Sequence, residues 1–162
     1  MKTPRGKQSK TSEAVDDYLK AIHTLGGDEQ RWVGGSELAS RLGVTPASVT
    51  NMLQKLDLEP KSLVNYKRGE GVRLSGAGRR RALEIVRHHR LVETFLFRML
   101  DYPIEDLHAE AERLEHFISE TFEERISAKL GNPIQDPHGQ CIPALDGSMP
   151  PAHGVTCRCG LR

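Results

Sequence analysis

Residues 35–56 read GSELASRLGVTPASVTNMLQKL, and this stretch decides the fold. Its first part has apolar residues on one helical face, which predicts a short helix over residues 36–42 with Ser36 as the N-cap. A tight turn at Gly43 follows, and a second amphipathic helix begins directly after it. Two helices joined by a glycine-containing turn predict a helix-turn-helix motif.

The second helix, predicted over residues 46–58, has the composition of an element that contacts bases. Thr45 is its predicted N-cap, and Pro46 takes the first helical position, where proline costs no hydrogen bond. In helix-turn-helix proteins the N-terminal residues of this helix face base edges in the major groove. Small residues allow close approach, and Asn51 can form two hydrogen bonds with adenine. The predicted base-contacting residues are Thr45, Ala47, Ser48, Thr50 and Asn51.

A β-hairpin is predicted after this motif, with strands at residues 63–66 and 72–74. The predicted phosphate contacts of the hairpin are Lys67, Arg68 and Arg73, and Arg79, Arg80 and Arg81 at the start of the next helix are given the same role. A basic hairpin after a helix-turn-helix is the pattern of a DNA-binding winged helix. The alternative is a winged helix that makes only protein contacts.

The charge of the chain is uneven along its length. Residues 1–81 contain 15 Lys and Arg against 9 Asp and Glu, a net charge of +6, whereas residues 82–162 contain 8 against 13, a net charge of −5. A basic half can face a polyanion, and an acidic half can collect cations.

The composition predicts a cytoplasmic, non-membrane protein. Among 162 residues, 37% are hydrophobic, and no apolar run approaches the length of about 18 residues needed for a membrane helix. The basic N-terminus is not followed by the apolar stretch of a secretion signal. The three cysteines, Cys141, Cys157 and Cys159, lie in the last 22 residues, and an odd number in this position indicates a reducing compartment.

The expected fold class is mainly α, with an N-terminal winged helix-turn-helix followed by a helical domain. The helical half is predicted to contain one long helix through residues 79–99 and a second over about residues 104–130. The predicted organisation is a disordered basic arm (1–11), a winged-helix domain (12–75), a helical domain (76–136) and an irregular tail (137–162).

The helical half contains a cluster of carboxylates and imidazoles at helical spacing. Glu112, Glu115 and His116 are spaced i, i+3 and i+4, and they are expected beside an apolar stripe that includes Leu114 rather than within it. Oxygen and imidazole donors without thiolate suit Mn(II) or Fe(II), although affinity alone favours Zn(II) or Cu(II). The other candidates are His89 and Glu93 at i, i+4 on the preceding helix, His108, and Asp17 on the first helix. A solvated acidic helix face is the alternative explanation.

Several motifs occur in an order that resembles a known family. DDYLKAI, LASRLGVTPASVTNMLQKL, RHHRLVETFL, HAEAERLEH and GNPIQDPHGQCIP lie within residues 12–147. Together they resemble the diphtheria toxin repressor and manganese transport regulator family of metal-dependent repressors. The resemblance implies a winged-helix domain, a helical domain that binds metal and dimerises, a palindromic operator and no enzymatic activity.

The resemblance also implies two sets of metal ligands. The primary set is Asp17, Glu112, Glu115 and His116, and the ancillary set is His89, Glu93 and His108. Asp17 and Glu112 match the manganese-responsive branch, since the iron-responsive branch has Met and Cys there. Lys20 departs from manganese proteins with a paired-metal centre, which carry Glu at this position, so two separated sites are expected. Longer members add an SH3-like domain with further ligands, which this chain is expected to lack.

The sequence therefore predicts a homodimeric, Mn(II)-activated repressor of metal-uptake genes that binds double-stranded DNA. An Fe(II) sensor, a metallohydrolase centre on a DNA-binding scaffold and a metal-independent DNA-binding adaptor are the alternatives. No nucleophile motif or phosphate loop accompanies the cluster, which argues against the hydrolase. The tail with His153, Cys157 and Cys159 is expected to be unstructured.

Overall fold

The computed structural model of the chain describes residues 12–58 and 60–151. The predicted basic arm and the tail residues His153, Cys157 and Cys159 lie outside this part of the chain. In chain order the described elements are α1 (Glu13–Gly26), α2 (Gly35–Leu42), α3 (Pro46–Leu56), β1 (Val64–Lys67), β2 (Gly71–Leu74), α4 (Gly76–Leu100), α5 (Leu107–Leu114) and α6 (Glu120–Lys129).

Helices α2 and α3 form the helix-turn-helix, and local signals set most of its boundaries. Gly43 ends α2 in the left-handed region with a φ of 66°, which glycine adopts without strain. Thr45 then caps α3, since its hydroxyl accepts a hydrogen bond of 3.2 Å from the Ser48 N–H. The prediction of Ser36 as a cap is wrong: Gly34 is the N-cap of α2, and its carbonyl accepts the first helical hydrogen bond.

The wing is the antiparallel pair β1 and β2, and it is fixed to the rest of the unit by close backbone contacts. Val33 adds a short third strand, with hydrogen bonds of 2.8 and 2.9 Å to Val72. A Cβ atom at Gly71 would lie 2.4 Å from the Val33 carbonyl oxygen, and one at Gly78 would lie 1.9 Å from the Leu63 carbonyl oxygen. Glycine at both positions therefore allows the wing to approach its neighbours.

Helix α1 belongs to the core of the winged-helix unit and also packs along α4. Ala82, near the start of α4, lies in the same apolar core as the helix-turn-helix. Fully buried members of this core are Leu19, Val33, Leu38, Val64 and Val72. Because α1 touches both halves of the molecule, a side chain on its α4-facing side can respond to events in the helical half.

The predicted helix over residues 104–130 is wrong, because the chain breaks it into α5 and α6. Ser119 adopts an extended conformation with a ψ of 158°, and its hydroxyl accepts a hydrogen bond from the Phe122 N–H as the N-cap of α6. The break leaves the Glu115 carbonyl 3.2 Å from His88 Nδ1. His88 is thus a buried structural residue, one of the two roles that the sequence leaves open for it.

The segment after α6 has almost no regular structure, but it is packed. Cys141 and Ile142 are buried, and Ile142 joins an apolar cluster with Leu91 and Ile126. The Arg87 guanidinium donates to the Pro143 carbonyl at 2.8 Å, which fixes this segment against α4.

The architecture confirms the predicted fold class: mainly α, with a winged helix-turn-helix followed by a helical unit. Within the described residues, none of the helices combines the length and the apolar character that crossing a membrane requires.

Candidate metal centre and nucleic-acid interface

Asp17, Glu115 and His116 form a cluster of ligand atoms where α1 meets the end of α5. The His116 Nε2 atom lies 3.1 Å from Asp17 Oδ1 and 3.5 Å from Glu115 Oε1. These are three of the four residues predicted for the primary site. Their atoms lie within 4.8 Å of one another, so the three side chains could share one cation.

The environment of Glu115 differs from the expectation that it lies beside the apolar stripe. Its side chain is fully buried, whereas Leu114, predicted as a stripe residue, is 38% exposed. Two partners from other helices compensate for the burial of this carboxylate: His89 Nδ1 lies 2.5 Å from Glu115 Oε2, and Lys20 Nζ lies 2.9 Å from both of its oxygens. A helical-face argument fails here because the partners that allow burial are distant in sequence.

Glu112, the fourth predicted primary ligand, groups with His89 and Glu115 instead. Its Oε1 atom lies 2.5 Å from Lys20 Nζ. Burial raises the pKa of Glu112, but hydrogen bonding and attraction to Lys20 outweigh this and lower the pKa below its ordinary value of 4.5. The structure thus places a lysine where the sequence suggested a metal ligand alone.

The predicted ancillary residues His89, Glu93 and His108 lie together on α4 and α5. His89 Nε2 is 3.0 Å from Glu93 Oε1 and 3.1 Å from His108 Nδ1. Burial lowers the pKa of His89, but its contacts with Glu115 and Glu93 outweigh burial and raise it. These three side chains form a second candidate group.

Asp136 and His138 contribute to a further group that the sequence analysis assigned to loop residues. The His138 Nδ1 atom lies 3.5 Å from Glu93 Oε2, and ligand atoms of Glu93, Asp136 and His138 lie within 4.8 Å of one another. The Asp136 Oδ2 atom is buried without a hydrogen-bond partner, and Glu93 on one side raises the pKa that burial has already raised. A signal was present in the sequence, since DPH supplies two donor side chains one residue apart.

His116 is held by a second carboxylate behind the cluster. Its Nδ1 atom faces Asp16 Oδ2 at 3.6 Å, and the carboxylates of Asp16 and Asp17 together raise the pKa of His116 to about 10. Asp16 is itself held by Arg81, with hydrogen bonds of 2.8 and 2.7 Å. The expectation that Arg81 contacts phosphate is therefore wrong, because its guanidinium joins α4 to α1.

The donor sets fit a divalent cation. All four groups offer carboxylate oxygens, each contains at least one imidazole or a second carboxylate, and none contains a thiolate. Such donors suit Mn(II), Fe(II) and Zn(II). The buried, unpartnered Asp136 Oδ2 is an independent indication, since a buried carboxylate oxygen without a donor is unfavourable unless a cation or proton compensates it.

The N-terminal part of α3 presents the predicted base-contacting residues to solvent. Thr45, Ala47, Ser48 and Asn51 are exposed, and Thr50 is half-buried. Two hydroxyls already have partners within the helix: Thr45 Oγ1 caps it, and Thr50 Oγ1 donates to the Pro46 carbonyl at 3.1 Å. Among these five residues, Asn51 is the one whose side-chain amide can read a base without giving up such a contact.

The predicted phosphate contacts of the wing, Lys67, Arg68 and Arg73, are all exposed. Trp32, which the sequence analysis did not single out, lies beneath two of them, with its ring centre 5.0 Å from Lys67 Nζ and 4.8 Å from the Arg73 guanidinium carbon. Cations over an aromatic face are attracted by the ring quadrupole. Trp32 precedes the residue that pairs with β2, so its position depends on a pairing that the local sequence does not announce.

Comparisons with known proteins agree with this arrangement. The iron-dependent repressor N-terminal DNA-binding domain matches residues 10–72, and the iron-dependent repressor metal-binding and dimerisation domain matches residues 75–144. The iron-dependent repressor IdeR of Mycobacterium leprae is 31% identical over 135 residues, which is 82% of this chain and 56% of the relative. The chain thus spans little more than half the length of that relative.

Two further relatives are manganese proteins by name. The transcriptional regulator MntR of Geobacillus kaustophilus is 33% identical over 113 residues, which is 70% of this chain and 77% of that protein. A solved manganese-dependent transcriptional repressor in complex with manganese has a TM-score of 0.76 and 43% identity, covering 84% of this chain and 61% of the other. The curated relatives named here are regulators, which confirms the prediction of a non-enzymatic protein and removes the metallohydrolase alternative. By its two matched domains and these relatives, the chain belongs to the iron-dependent repressor family, which includes iron- and manganese-dependent transcriptional repressors.

Proposed function

We propose that this chain is a Mn(II)-activated transcriptional repressor that binds palindromic operators of metal-uptake genes as a homodimer in the cytoplasm. One observation carries the proposal: the Asp17, Glu115 and His116 cluster connects α1 of the winged-helix unit to the end of α5 in the helical unit. A ligand site outside the DNA-reading element can affect DNA binding only if it favours one arrangement of the two units.

The three side chains of this cluster would hold a divalent cation between α1 and α5. The cation would supply positive charge for two carboxylates and would replace the proton that the raised pKa of His116 keeps on the ring. The pair Asp16–Arg81 lies directly behind His116 and ties α1 to α4. Occupation of the cluster would therefore fix α1, and with it the helix-turn-helix packed against it.

A second cation is proposed at Glu93, which belongs to two candidate groups. One group is completed by His89 and His108, as the sequence predicts, and the other by Asp136 and His138. His89 Nδ1 is already bonded to Glu115, whereas Asp136 Oδ2 has no hydrogen-bond partner. This difference favours the group that includes Asp136 and His138.

Manganese is proposed over iron because of the donor atoms. Hard carboxylate oxygens suit Mn(II), and no thiolate is present to favour a softer ion in the primary cluster. The relatives include an iron-dependent repressor as well as manganese-dependent ones, so an Fe(II) sensor is the alternative within the family.

The homodimer is supported by apolar side chains exposed on the helical unit. Within the described residues, seven large exposed apolar residues lie between positions 97 and 122: Phe97, Met99, Leu100, Ile104, Leu114, Phe117 and Phe122. Exposed apolar surface of this kind is usual at protein–protein contacts. A two-fold dimer would place two recognition helices about 34–36 Å apart on successive major grooves of a palindromic site.

The proposal is tested by the affinity of the protein for promoter DNA, titrated with Mn(II), Fe(II) and Zn(II) and measured again with chelator. We expect chelation to weaken operator binding by at least about tenfold, within the range of coupling free energies between allosteric sites. Mn(II) is expected to restore full binding at the lowest free concentration relative to its cellular level. Equal affinity with and without chelator would leave a metal-independent DNA-binding protein.

Substitution of Asn51 and of Arg68 is expected to affect DNA binding in different ways. Asn51→Ala removes a base contact of α3, which should cost about 1–3 kcal/mol on the operator and relax preference at one position in each half-site. Arg68→Ala removes a phosphate contact of the wing, which should weaken operator and random DNA about equally and reduce the salt dependence.

The measurement for these two variants is competition binding against a randomised operator library at two salt concentrations. The assignment of the two elements would be reversed if Arg68→Ala changed base preference while Asn51→Ala lowered only the overall affinity.

A further inference from the structure

The Lys20 side chain lies inside a ring of potential metal ligands. Its Nζ atom is 2.5 Å from Glu112 Oε1, 2.9 Å from each oxygen of Glu115 and 3.3 Å from His89 Nδ1. The side chain is 17% exposed, so most of its length is enclosed by the protein. An ammonium group has three donors and no acceptor, and here acceptors from two helices surround it.

The groups around Lys20 form a ligand set of their own. Atoms of His89, Glu112 and Glu115 lie within 4.8 Å of one another, which would suit a divalent cation. Glu115 also belongs to the cluster with Asp17 and His116, so its carboxylate lies between two possible cation positions. Without a positive charge on the Lys20 side, two carboxylates would face each other in a largely buried place, which is unfavourable.

We infer that the Lys20 ammonium is a tethered cation that fills the His89–Glu112–Glu115 position and thereby limits the adjacent cluster to a single metal ion. The inference rests on the proposed function, since it assigns Lys20 a role in how many ions that site accepts. Lys20 lies on α1 three residues after Asp17, on the same helical face. One helix therefore supplies both a ligand for the first position and the charge that excludes a second ion.

Two observations separate this role from an ordinary surface ion pair. The ammonium contacts both oxygens of the fully buried Glu115 carboxylate, whereas an exposed lysine commonly meets one exposed oxygen. It also contacts a histidine nitrogen, which is an acceptor that a metal would use in the same way. The contacts of Lys20 thus reproduce a cation's choice of partners.

The test is the number of Mn(II) ions bound per protomer by the full chain, measured by equilibrium dialysis with metal analysis. Lys20→Met removes the charge and keeps the length of the side chain, and we expect it to bind one more Mn(II) than the wild type. The added ion should lie close to the first, so the electron paramagnetic resonance spectrum of bound Mn(II) should broaden by dipolar coupling. Lys129→Met, which removes an exposed lysine from the end of α6, is the charge-matched control and should bind as the wild type does.

Lys20→Gln guards against a variant that does not fold in the absence of metal, because its amide can still donate to the carboxylates while it carries no charge. It should gain the same ion. An unchanged number of bound ions in both Lys20 variants would overturn the inference even if Mn(II) activates operator binding. A wild type that binds no Mn(II) would remove the proposed function, and a variant that then binds one ion would still support the role of Lys20.

Discussion

His116→Ala should abolish the response of operator binding to Mn(II). His116 supplies the imidazole of the cluster with Asp17 and Glu115, and its Nε2 atom lies within 3.5 Å of a carboxylate from each side. Without it, the remaining oxygens come from two helices with no nitrogen donor between them. Operator affinity with Mn(II) should therefore fall to the chelated level, a loss of at least about tenfold.

The same experiment separates a ligand from a structural residue. The unfolding midpoint of His116→Ala in chelator measures the structural cost, and Asp17→Asn provides a variant at a side chain that is 44% exposed. Glu115→Ala is the poorer choice, because this carboxylate is fully buried between His89 and Lys20 and its removal would leave their charges without a partner. A Mn(II) response that persists in His116→Ala would exclude His116 as a ligand.

Arg87→Met is expected to destabilise the helical unit by about 3–5 kcal/mol, the usual cost of breaking a buried ion pair by removing one partner. The Arg87 guanidinium lies 2.5 Å from Glu123 Oε1 and also donates to Ser127 and to the Pro143 carbonyl. Its loss leaves the Glu123 carboxylate, whose side chain is 2% exposed, with His88 as its remaining partner in this network.

Chemical denaturation of the metal-free protein measures this effect. The double variant Arg87→Met with Glu123→Leu should recover part of the loss, since apolar residues of similar volume often replace a buried pair at little cost. Arg113→Ala, which breaks an exposed pair with Glu110, is the control and should change the free energy of unfolding by less than about 1 kcal/mol. Equal effects of the two arginine variants would mean that the buried pair contributes nothing special.

The pH dependence of stability should show the same pair. Burial raises the pKa of Glu123, but His88 and Arg87 outweigh it and hold the pKa below its ordinary value of 4.5. A carboxyl group whose pKa is lower in the folded state stabilises the fold above pH 4.5, and this contribution is lost as the pH falls through the folded-state pKa. The acid-induced drop in the unfolding midpoint should be smaller in the double variant than in the wild type.

Much of the winged helix could be predicted because its signals are local. Gly43, Thr45 and Pro46 mark the turn and the start of α3 through backbone conformation, capping and a fixed φ, and each acts within a few residues. The alternating strands and the basic turn between them predict the wing in the same way. The Val33 strand was missed, because one residue carries no periodicity.

The candidate metal centre could be predicted in its residue types but not in its grouping. Glu112 and Glu115 share a helical face, yet the Lys20 ammonium from α1 draws them toward His89, a contact between residues 92 and 95 positions apart in the chain. The end of α5 depends on whether the side chain of Ser119 caps a new helix or lies within an old one, and apolar periodicity alone favoured the second. Asp136 was missed because its partner Glu93 lies on a different element.

Trp32 gives the protein an intrinsic optical reporter. It is the single tryptophan of the chain, and its indole lies beneath Lys67 and Arg73 at the wing. A phosphate group that draws either cation away from the ring changes the polarity around the indole, and the emission of the whole protein comes from this one side chain. Wing engagement can therefore be followed by ordinary fluorescence on unlabelled protein, separately from events at the metal centre.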